Sequence, residues 1–182
     1  LSPPPTRAVA VAASLATALL ASWGVLTAYP QAFQATLGSL PWLPGGSGEG
    51  IFGFLLDPLA SVLLLVVTLI GFLTVLFSTQ YLTEKNRDHP VGPQDQGRYY
   101  FWLLAFLGSM VGVATAPNFL QLFVFWELTT ICSWALISFY RSEESLKAGF
   151  KAILMTHAGG VFFLLALLIL FAFTGSFGFD AL

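Results

Sequence analysis

The stretch NFLQLFVFWELTTICSWALISFY, residues 118–140, is apolar over enough length to cross a membrane, and it carries one acidic residue near its middle. A hydrocarbon core of ~30 Å needs about 20 apolar residues in a helix. Glu127 follows the start of this stretch by about ten residues, or roughly 15 Å at the rise of an α-helix. Because a carboxylate is costly at that depth, we expect it to face the protein interior, where it marks an ion or proton path. The alternative is a glutamate that is neutralised by hydrogen bonds and only fixes helix packing.

The composition of the whole chain predicts a protein that is covered largely by lipid. Hydrophobic residues make up 57% and charged residues 9% of its 182 residues, against about 25% charged residues in a soluble domain. The net charge of −2 argues against a nucleic-acid partner. A single cysteine, Cys132, excludes an intrachain disulfide. Since no glycine-rich phosphate loop, Ser/His/Asp spacing or zinc spacing is visible, the sequence predicts no catalytic centre and no cofactor, and leaves open whether the whole protein is an enzyme.

Five apolar stretches predict an all-α integral membrane fold of about five transmembrane helices, in one unit over residues 1–182. The segments 30–54 and 83–98 are predicted to be loops. Glycines and prolines crowd the first segment, and Pro90 and Pro93 argue against a regular helix in the second. The predicted helices cover residues 8–29, 55–82, 99–114, 118–140 and 146–173.

The cations gather on one side of this five-helix arrangement. Alternating spans place all seven Lys and Arg residues on that side or just inside it, at Arg7, Lys85, Arg87, Arg98, Arg141, Lys147 and Lys151. The opposite side carries none. Because cytoplasmic loops of membrane proteins are enriched in Lys and Arg, we expect the N-terminal end and the 83–98 loop to be cytoplasmic, in a multi-pass protein of the cell membrane.

Three further residues are predicted to join Glu127 in an ion path. His157 lies deep in the last helix, where a neutral histidine is a natural proton relay; the alternative is a buried histidine held by a backbone carbonyl or by Thr156. Lys151 lies nearer the helix start, either as a charge partner and entry group or as a side chain that snorkels to the interface. Thr130 follows Glu127 by three residues on the same helix face, so its hydroxyl is available to a hydrated path.

Four other residues are predicted to have structural roles. Asp57 precedes Pro58 at a helix start, where a carboxylate acts as a cap. A stripe of small residues recurs every four positions in the last helix, at Ala152, Thr156 and Gly160. Such a stripe permits close contact between membrane helices. We therefore expect the helices 118–140 and 146–173 to pack together with Glu127 turned inward.

The stretch Phe125–Trp134 (FWELTTICSW) resembles the glutamate-bearing helix of the antiporter-like membrane subunits, which occur in Mrp-type cation/proton antiporters, respiratory complex I and membrane-bound hydrogenases. The resemblance extends to three further segments, Ser39–Pro44, Phe54–Leu59 and Ala148–Gly160. It implies a longer helical bundle, of which this chain is an N-terminal fragment with further helices on either side. It also implies a lysine partner for the glutamate beyond Leu182. Pro58 departs from the family pattern, which has glycine there.

The resemblance implies a subunit of a multi-subunit complex that moves H⁺, with or without Na⁺, along a path of Glu, Lys and His residues. The large subunit of the Mrp-type antiporters is the favoured branch, because complex I relatives tend to carry Arg and Asp where this chain has His157 and Gly160. The alternatives are a proton-pumping subunit of NADH-quinone oxidoreductase or membrane-bound hydrogenase, a structural protein of membrane assembly, and a quinone-binding redox protein. The expected partners are other membrane subunits, the remainder of the bundle and the lipid bilayer.

Overall fold

The computed structural model describes residues 5–28, 31–38, 52–84 and 90–179. Within these residues the chain forms five helices, as predicted, and two strands. In chain order the elements are α1 (Pro5–Ala28), β1 (Phe33–Gly38), β2 (Phe52–Leu56), α2 (Pro58–Tyr81), α3 (Pro93–Ala114), α4 (Phe119–Ile137) and α5 (Glu143–Thr174). Four of these helices, α1, α2, α4 and α5, are long and apolar enough to cross a membrane. The chain is therefore a multi-pass membrane protein.

Three helices begin at a side chain that caps the first turn. Asp57, Asn118 and Ser142 each accept a hydrogen bond from the backbone N–H three residues on, at 2.6, 2.8 and 3.1 Å. Such a bond satisfies one of the N–H groups that a helix start leaves without a partner. Asp57 thus ends β2 and starts α2, so α2 begins at Pro58 and not at residue 55. Gly175, with φ of 72°, ends α5 in the left-handed conformation that glycine favours.

The prediction that residues 83–98 form a loop is wrong for its second half. The helix α3 begins at Pro93, six residues before the predicted start at Tyr99. Proline is tolerated at the first position of a helix because the N–H that it lacks would have no helical partner there. The early start places Asp95, Gln96 and Arg98 in the first turns of α3. These polar residues explain why α3 is less apolar than the four helices named above.

The prediction that residues 30–54 form a loop is also wrong at both of its ends. The strands β1 and β2 pair as an antiparallel hairpin, in a register that joins Phe33 to Leu56. The residues 39–51 between the strands lie outside the described part of the chain. The apolar run of β2 continues into the helix α2, which is why the sequence predicts the last two residues of β2, Leu55 and Leu56, as part of that helix. The break between strand and helix lies at Asp57, where the cap starts α2.

Hydrogen bonds with Gln121, which is buried at the start of α4, join the hairpin to the helices. The Gly53 N–H donates to the side-chain carbonyl of Gln121 at 2.9 Å, and the side-chain amide of Gln121 donates to the Gly53 carbonyl at 3.0 Å. The Leu55 N–H also donates to the carbonyl of Thr115 at 2.9 Å. Gln121 therefore satisfies the backbone of β2 as a neighbouring strand would.

The helix α3 lies in the middle of the described bundle, packed on α1, α2 and α4, while α5 packs chiefly against α4. Ala10, Val75, Tyr100 and Leu103 form a buried cluster where α1, α2 and α3 meet. Most other large apolar side chains of the helices are exposed, up to 87% for Phe173. An exposed apolar surface of this extent fits lipid or further helices and does not fit water.

Two arginines join the ends of helices at one end of the bundle, which we call the cationic side. Arg7 at the start of α1 donates to the side chain of Gln96 at 3.0 Å and to the carbonyl of Leu82 at 2.9 Å. Arg98 donates to the carbonyl of Phe139 at 2.7 Å, and its guanidinium lies over the Phe139 ring. These contacts place the starts of α1 and α3 beside the ends of α2 and α4. The hairpin lies at the opposite end, which we call the hairpin side.

Candidate functional site

The candidate site lies between α4 and α5, where Glu127 contacts His157. Glu127 is the ninth of the 19 residues of α4, so it stands at the middle of this helix. Its side chain is only 21% exposed, and its Oε2 atom lies 2.7 Å from Nδ1 of His157. An N···O distance of 2.7 Å is typical of a hydrogen bond in which one partner is charged. The structure therefore pairs two of the four residues that the sequence assigns to an ion path.

The two oxygens of Glu127 have different surroundings. Oε1 is buried, and it has no hydrogen-bond partner among the described residues. It lies against the backbone of Gly160, where a side-chain Cβ would overlap it. Oε2 alone contacts the imidazole. The contact with His157 therefore uses a single oxygen of the carboxyl group.

Two glycines bring α5 close enough to α4 for this contact. A Cβ at Gly149 would overlap the hydroxyl of Ser138, just as a Cβ at Gly160 would overlap Glu127. Eleven residues separate the two glycines, and at about 100° per residue they lie within about 20° of one line along the helix. Further contacts join α4 and α5 on either side of the Glu127–His157 pair. On one side, Ser145 donates to the carbonyl of Ile137 at 2.6 Å. On the other side, aromatic rings pack edge to face across the interface.

The residues of the predicted stripe, Ala152, Thr156 and Gly160, differ in their surroundings. Gly160 is buried, but Thr156 is exposed and donates its hydroxyl back to the carbonyl of Ala152 at 2.9 Å. Positions four apart drift by about 40° per step around a helix, so such a stripe leaves the interface after one or two steps. The pair Gly149 and Gly160 follows the interface instead.

Thr130 is buried on α4, one turn from Glu127. Its hydroxyl donates to the carbonyl of Trp126 at 3.4 Å, within its own helix. No hydrogen bond joins it to Glu127 or His157 in the described residues. The structure thus leaves Thr130 near the pair but outside it, and its predicted role in a hydrated path stays a prediction.

Lys151 does not reach Glu127. It is exposed on α5, and it makes no ion pair or hydrogen bond among the described residues. Nine residues, or two and a half turns, separate it from Gly160, so the two residues lie on opposite faces of α5. His157, and not Lys151, contacts the carboxyl of Glu127, so the structure does not show Lys151 as its charge partner. Lys147, the neighbouring cation, pairs with Glu143 at 2.6 Å on the surface.

Within the described residues, no three His, Cys, Asp or Glu side chains form a cluster of metal-ligating groups. The chemistry available at the Glu127–His157 pair is the movement of a proton between an imidazole and a carboxylate. That chemistry needs no group beyond the two side chains.

Comparisons with known proteins agree with the membrane-helix fold. The family model described as "NADH:quinone oxidoreductase/Mrp antiporter, TM" matches residues 116–182, which include Glu127, His157 and Gly160. The model described as "NADH-Ubiquinone oxidoreductase (complex I), chain 5 N-terminus" matches residues 42–90. The two matches cover separate parts of the chain, and the candidate site lies within the first of them.

One relative and two solved structures show the extent of the likeness. The chain is 30% identical over 188 residues to chloroplastic NAD(P)H-quinone oxidoreductase subunit 5 of Lemna minor, a match over 98% of this chain and 24% of that protein. A chain of the archaeal membrane-bound sulfane sulfur reductase superposes with a TM-score of 0.74 at 23% identity, over 94% of this chain and 33% of that one. A chain of the Mrp complex of a Dietzia species gives 0.68 at 25%, over 95% and 20%.

The helices, and the acid held between two of them, define a multi-pass membrane protein built around a polar pair. The matches make the class specific. The chain belongs to the family of antiporter-like membrane subunits, related to subunit 5 of complex I and to subunits of the Mrp complex. It spans about a quarter of the length of the Lemna minor relative, 24%.

Proposed function

We propose that this chain is part of a proton-translocating membrane subunit, in which Glu127 and His157 pass a proton between α4 and α5. The observation that carries the proposal is the 2.7 Å contact between Oε2 of Glu127 and Nδ1 of His157. A carboxylate and an imidazole at this distance, inside a membrane helix pair, are the two side chains best suited to proton transfer near neutral pH.

The pair has two states that differ by the position of one proton. In one state the protonated imidazole donates its Nδ1–H to the Glu127 carboxylate. In the other state the protonated carboxyl donates to the neutral imidazole. Because Nδ1 is occupied by Glu127, the second ring nitrogen, Nε2, is the one that exchanges protons with the next group. The His157 side chain is 44% exposed in this chain, so Nε2 has room for such a group.

Lys151 and Thr130 take secondary roles in this proposal. Lys151 precedes His157 by six residues, or roughly 9 Å along α5 toward the cationic side. Lys151 is therefore placed to admit protons on that side and not to pair with the Glu127 carboxylate. Thr130 is buried one turn from Glu127, so its hydroxyl is placed to bind water beside the pair when the path is hydrated.

The test is proton flux through the assembled complex in proteoliposomes. Glu127→Gln keeps the size and hydrogen bonding of the side chain but cannot take up a proton, so we expect flux to fall by about 10²-fold or more. We expect His157→Gln to lower proton flux as well. Glu143→Gln is the matched control, because Glu143 is exposed on the same helix pair and should leave flux unchanged.

The outcome separates transport from a structural role. Loss of flux in a normally assembled complex supports proton translocation. Failure of Glu127→Gln to assemble supports a structural protein of membrane assembly, in which the pair only fixes helix packing. Normal flux and normal assembly with Glu127→Gln would contradict the proposal outright.

For the driving reaction we propose Na⁺/H⁺ exchange of the Mrp type. Two residues at the site support this branch, since His157 and Gly160 stand where complex I relatives tend to carry Arg and Asp. The fold also resembles a chain of an Mrp complex. Proton movement driven by a Na⁺ gradient across proteoliposomes would support it. Proton movement that needs a quinone and its reductant would exclude it.

A second candidate is the proton-pumping subunit of a quinone oxidoreductase. The similarity to NAD(P)H-quinone oxidoreductase subunit 5 of Lemna minor, at 30% identity, favours it. In either case the partners are other membrane subunits, the remainder of the antiporter-like bundle and lipid. We further propose that the complex lies in the cell membrane with the cationic side of this chain in the cytoplasm.

A further inference from the structure

Gly160 and Gly159 are neighbours on α5 with opposite surroundings. A Cβ on Gly160 would overlap Oε1 of Glu127 and lie 3.0 Å from its carboxyl carbon, Cδ. A Cβ on Gly159 would meet nothing within 4 Å. The carboxyl of Glu127 therefore occupies the space that any side chain at position 160 would fill.

We propose that Gly160 is a positioning residue for proton transfer, one that sets the orientation of the Glu127 carboxyl so that Oε2 meets His157. The inference rests on the proposed function and adds to it the residue that fixes the geometry of transfer. Gly160 touches neither the proton nor the imidazole nitrogen. It acts through Glu127, by leaving the carboxyl the space that a side chain at position 160 would take.

The spacing of His157 and Gly160 explains why the position matters. Residues three apart lie side by side on one helix face, so His157 and Gly160 together form the surface that receives Glu127. The imidazole supplies the partner for one oxygen, and the glycine supplies the space for the other. We expect a methyl group at position 160 to push the carboxyl away from α5 and so to lengthen its 2.7 Å contact with His157.

Gly160→Ala and Gly159→Ala form a matched pair for the test. Both substitutions add one methyl group to α5, and both raise its helix propensity to the same extent. We expect Gly160→Ala to lower proton flux in the assembled complex by about 10²-fold, as small misplacements of reacting groups do. We expect Gly159→Ala to leave flux within about twofold of the unmodified complex.

Infrared difference spectroscopy gives a readout that a merely structural role would not move. The carboxyl band of Glu127 is identified as the band that Glu127→Gln removes. Its frequency depends on the hydrogen bond to His157. We expect Gly160→Ala to shift this band and Gly159→Ala to leave it in place.

The inference and the proposed function fail in different ways. If Glu127→Gln abolishes flux while Gly160→Ala transports normally with an unshifted band, the positioning role is wrong and the proposed function stands. If Glu127→Gln transports normally, the proposed function is wrong, and the band shift in Gly160→Ala still decides whether the glycine sets the carboxyl orientation.

A double variant covers the case in which Gly160→Ala does not assemble. Glu127→Asp shortens the side chain by one methylene and withdraws the carboxyl from the added methyl group. Because the overlap involves only Glu127, we expect the double variant Gly160→Ala with Glu127→Asp to assemble. A double variant that also fails to assemble would overturn the inference, since the glycine would then be needed for a contact other than Glu127.

Discussion

The contact between Glu127 and His157 depends on the length of the glutamate side chain as well as on its charge. The carboxyl reaches His157 at 2.7 Å from the neighbouring helix, and a hydrogen bond of this kind weakens beyond about 3.2 Å. Shortening the side chain by one C–C bond withdraws the carboxyl by about 1.5 Å. The charge of the group and its place in the middle of α4 would both remain.

We therefore predict that Glu127→Asp lowers proton flux nearly as far as Glu127→Gln does, although it keeps an ionisable carboxyl. The measurement is flux in proteoliposomes, with assembly checked on the purified complex. Glu143→Asp is the control, because that exposed glutamate pairs with Lys147 on the surface and lies away from the Glu127–His157 pair. Flux of Glu127→Asp close to that of the unmodified complex would mean that charge alone is sufficient and that the contact with His157 is incidental.

The sequence could predict which residues are important at this site but not which of them meet. Glu127 and His157 stand out because ionisable residues deep in apolar helices are rare. Which face of α5 turns toward α4 depends on the rotation of the helix about its axis, and two glycines eleven residues apart set that rotation. This spacing explains why His157 faces the carboxyl while Lys151 points away. Gly160 was visible in the sequence only as a packing residue, since nothing local shows what fills its space.

At the scale of the elements, the hairpin of β1 and β2 depends on one buried glutamine. Gln121 makes two hydrogen bonds to the backbone of Gly53, and both groups are buried. Each such hydrogen bond contributes about 1 kcal/mol, and leaving its buried partner unsatisfied costs about 1–3 kcal/mol. Gln121 lies in the first turn of α4, so its loss affects the helix start and the hairpin together.

We predict that Gln121→Leu lowers the free energy of unfolding by about 2 kcal/mol or more, since it removes two hydrogen bonds and leaves the Gly53 N–H and carbonyl without that partner. Thermal unfolding of the purified protein in detergent measures the change. Gln34→Leu is the control, because Gln34 is exposed on β1 of the same hairpin. Equal stability of the two variants would show that the hairpin does not need the glutamine.

The elements show why a pattern of apolar residues locates membrane helices better than it locates their ends. Capping side chains at Asp57, Asn118 and Ser142 set three helix starts, whereas the apolar runs predict two of these helices to begin at residues 55 and 146. The sequence predicts the start of α3 too late, because proline breaks the interior of a helix but here stands at its first position. The hairpin was missed because β2 is short and runs into an apolar helix, and because its partner Gln121 is distant in the chain.

For the whole molecule, the two ends of the bundle differ in charge. The described cations all lie at the cationic side or within the first turns of α5, at Arg7, Arg98, Arg141, Lys147 and Lys151. Two of them, Arg7 and Arg98, also hold the helix ends together on that side. No Lys or Arg stands in β1, β2 or the described turn between α3 and α4.

This difference predicts the orientation of the chain in the membrane. Loops rich in Lys and Arg stay in the cytoplasm, so the cationic side should face the cytoplasm and the hairpin side the exterior. Gln94, exposed at the start of α3, and Gln34, exposed on β1, lie at opposite ends and serve as labelling positions. Cys132 is buried, so the natural thiol adds little background. In intact cells a membrane-impermeant maleimide should label Gln34→Cys and spare Gln94→Cys, and in inverted vesicles it should do the reverse. Labelling of Gln94→Cys from outside would reverse the orientation, and with it the side from which Lys151 would admit protons to His157 and Glu127.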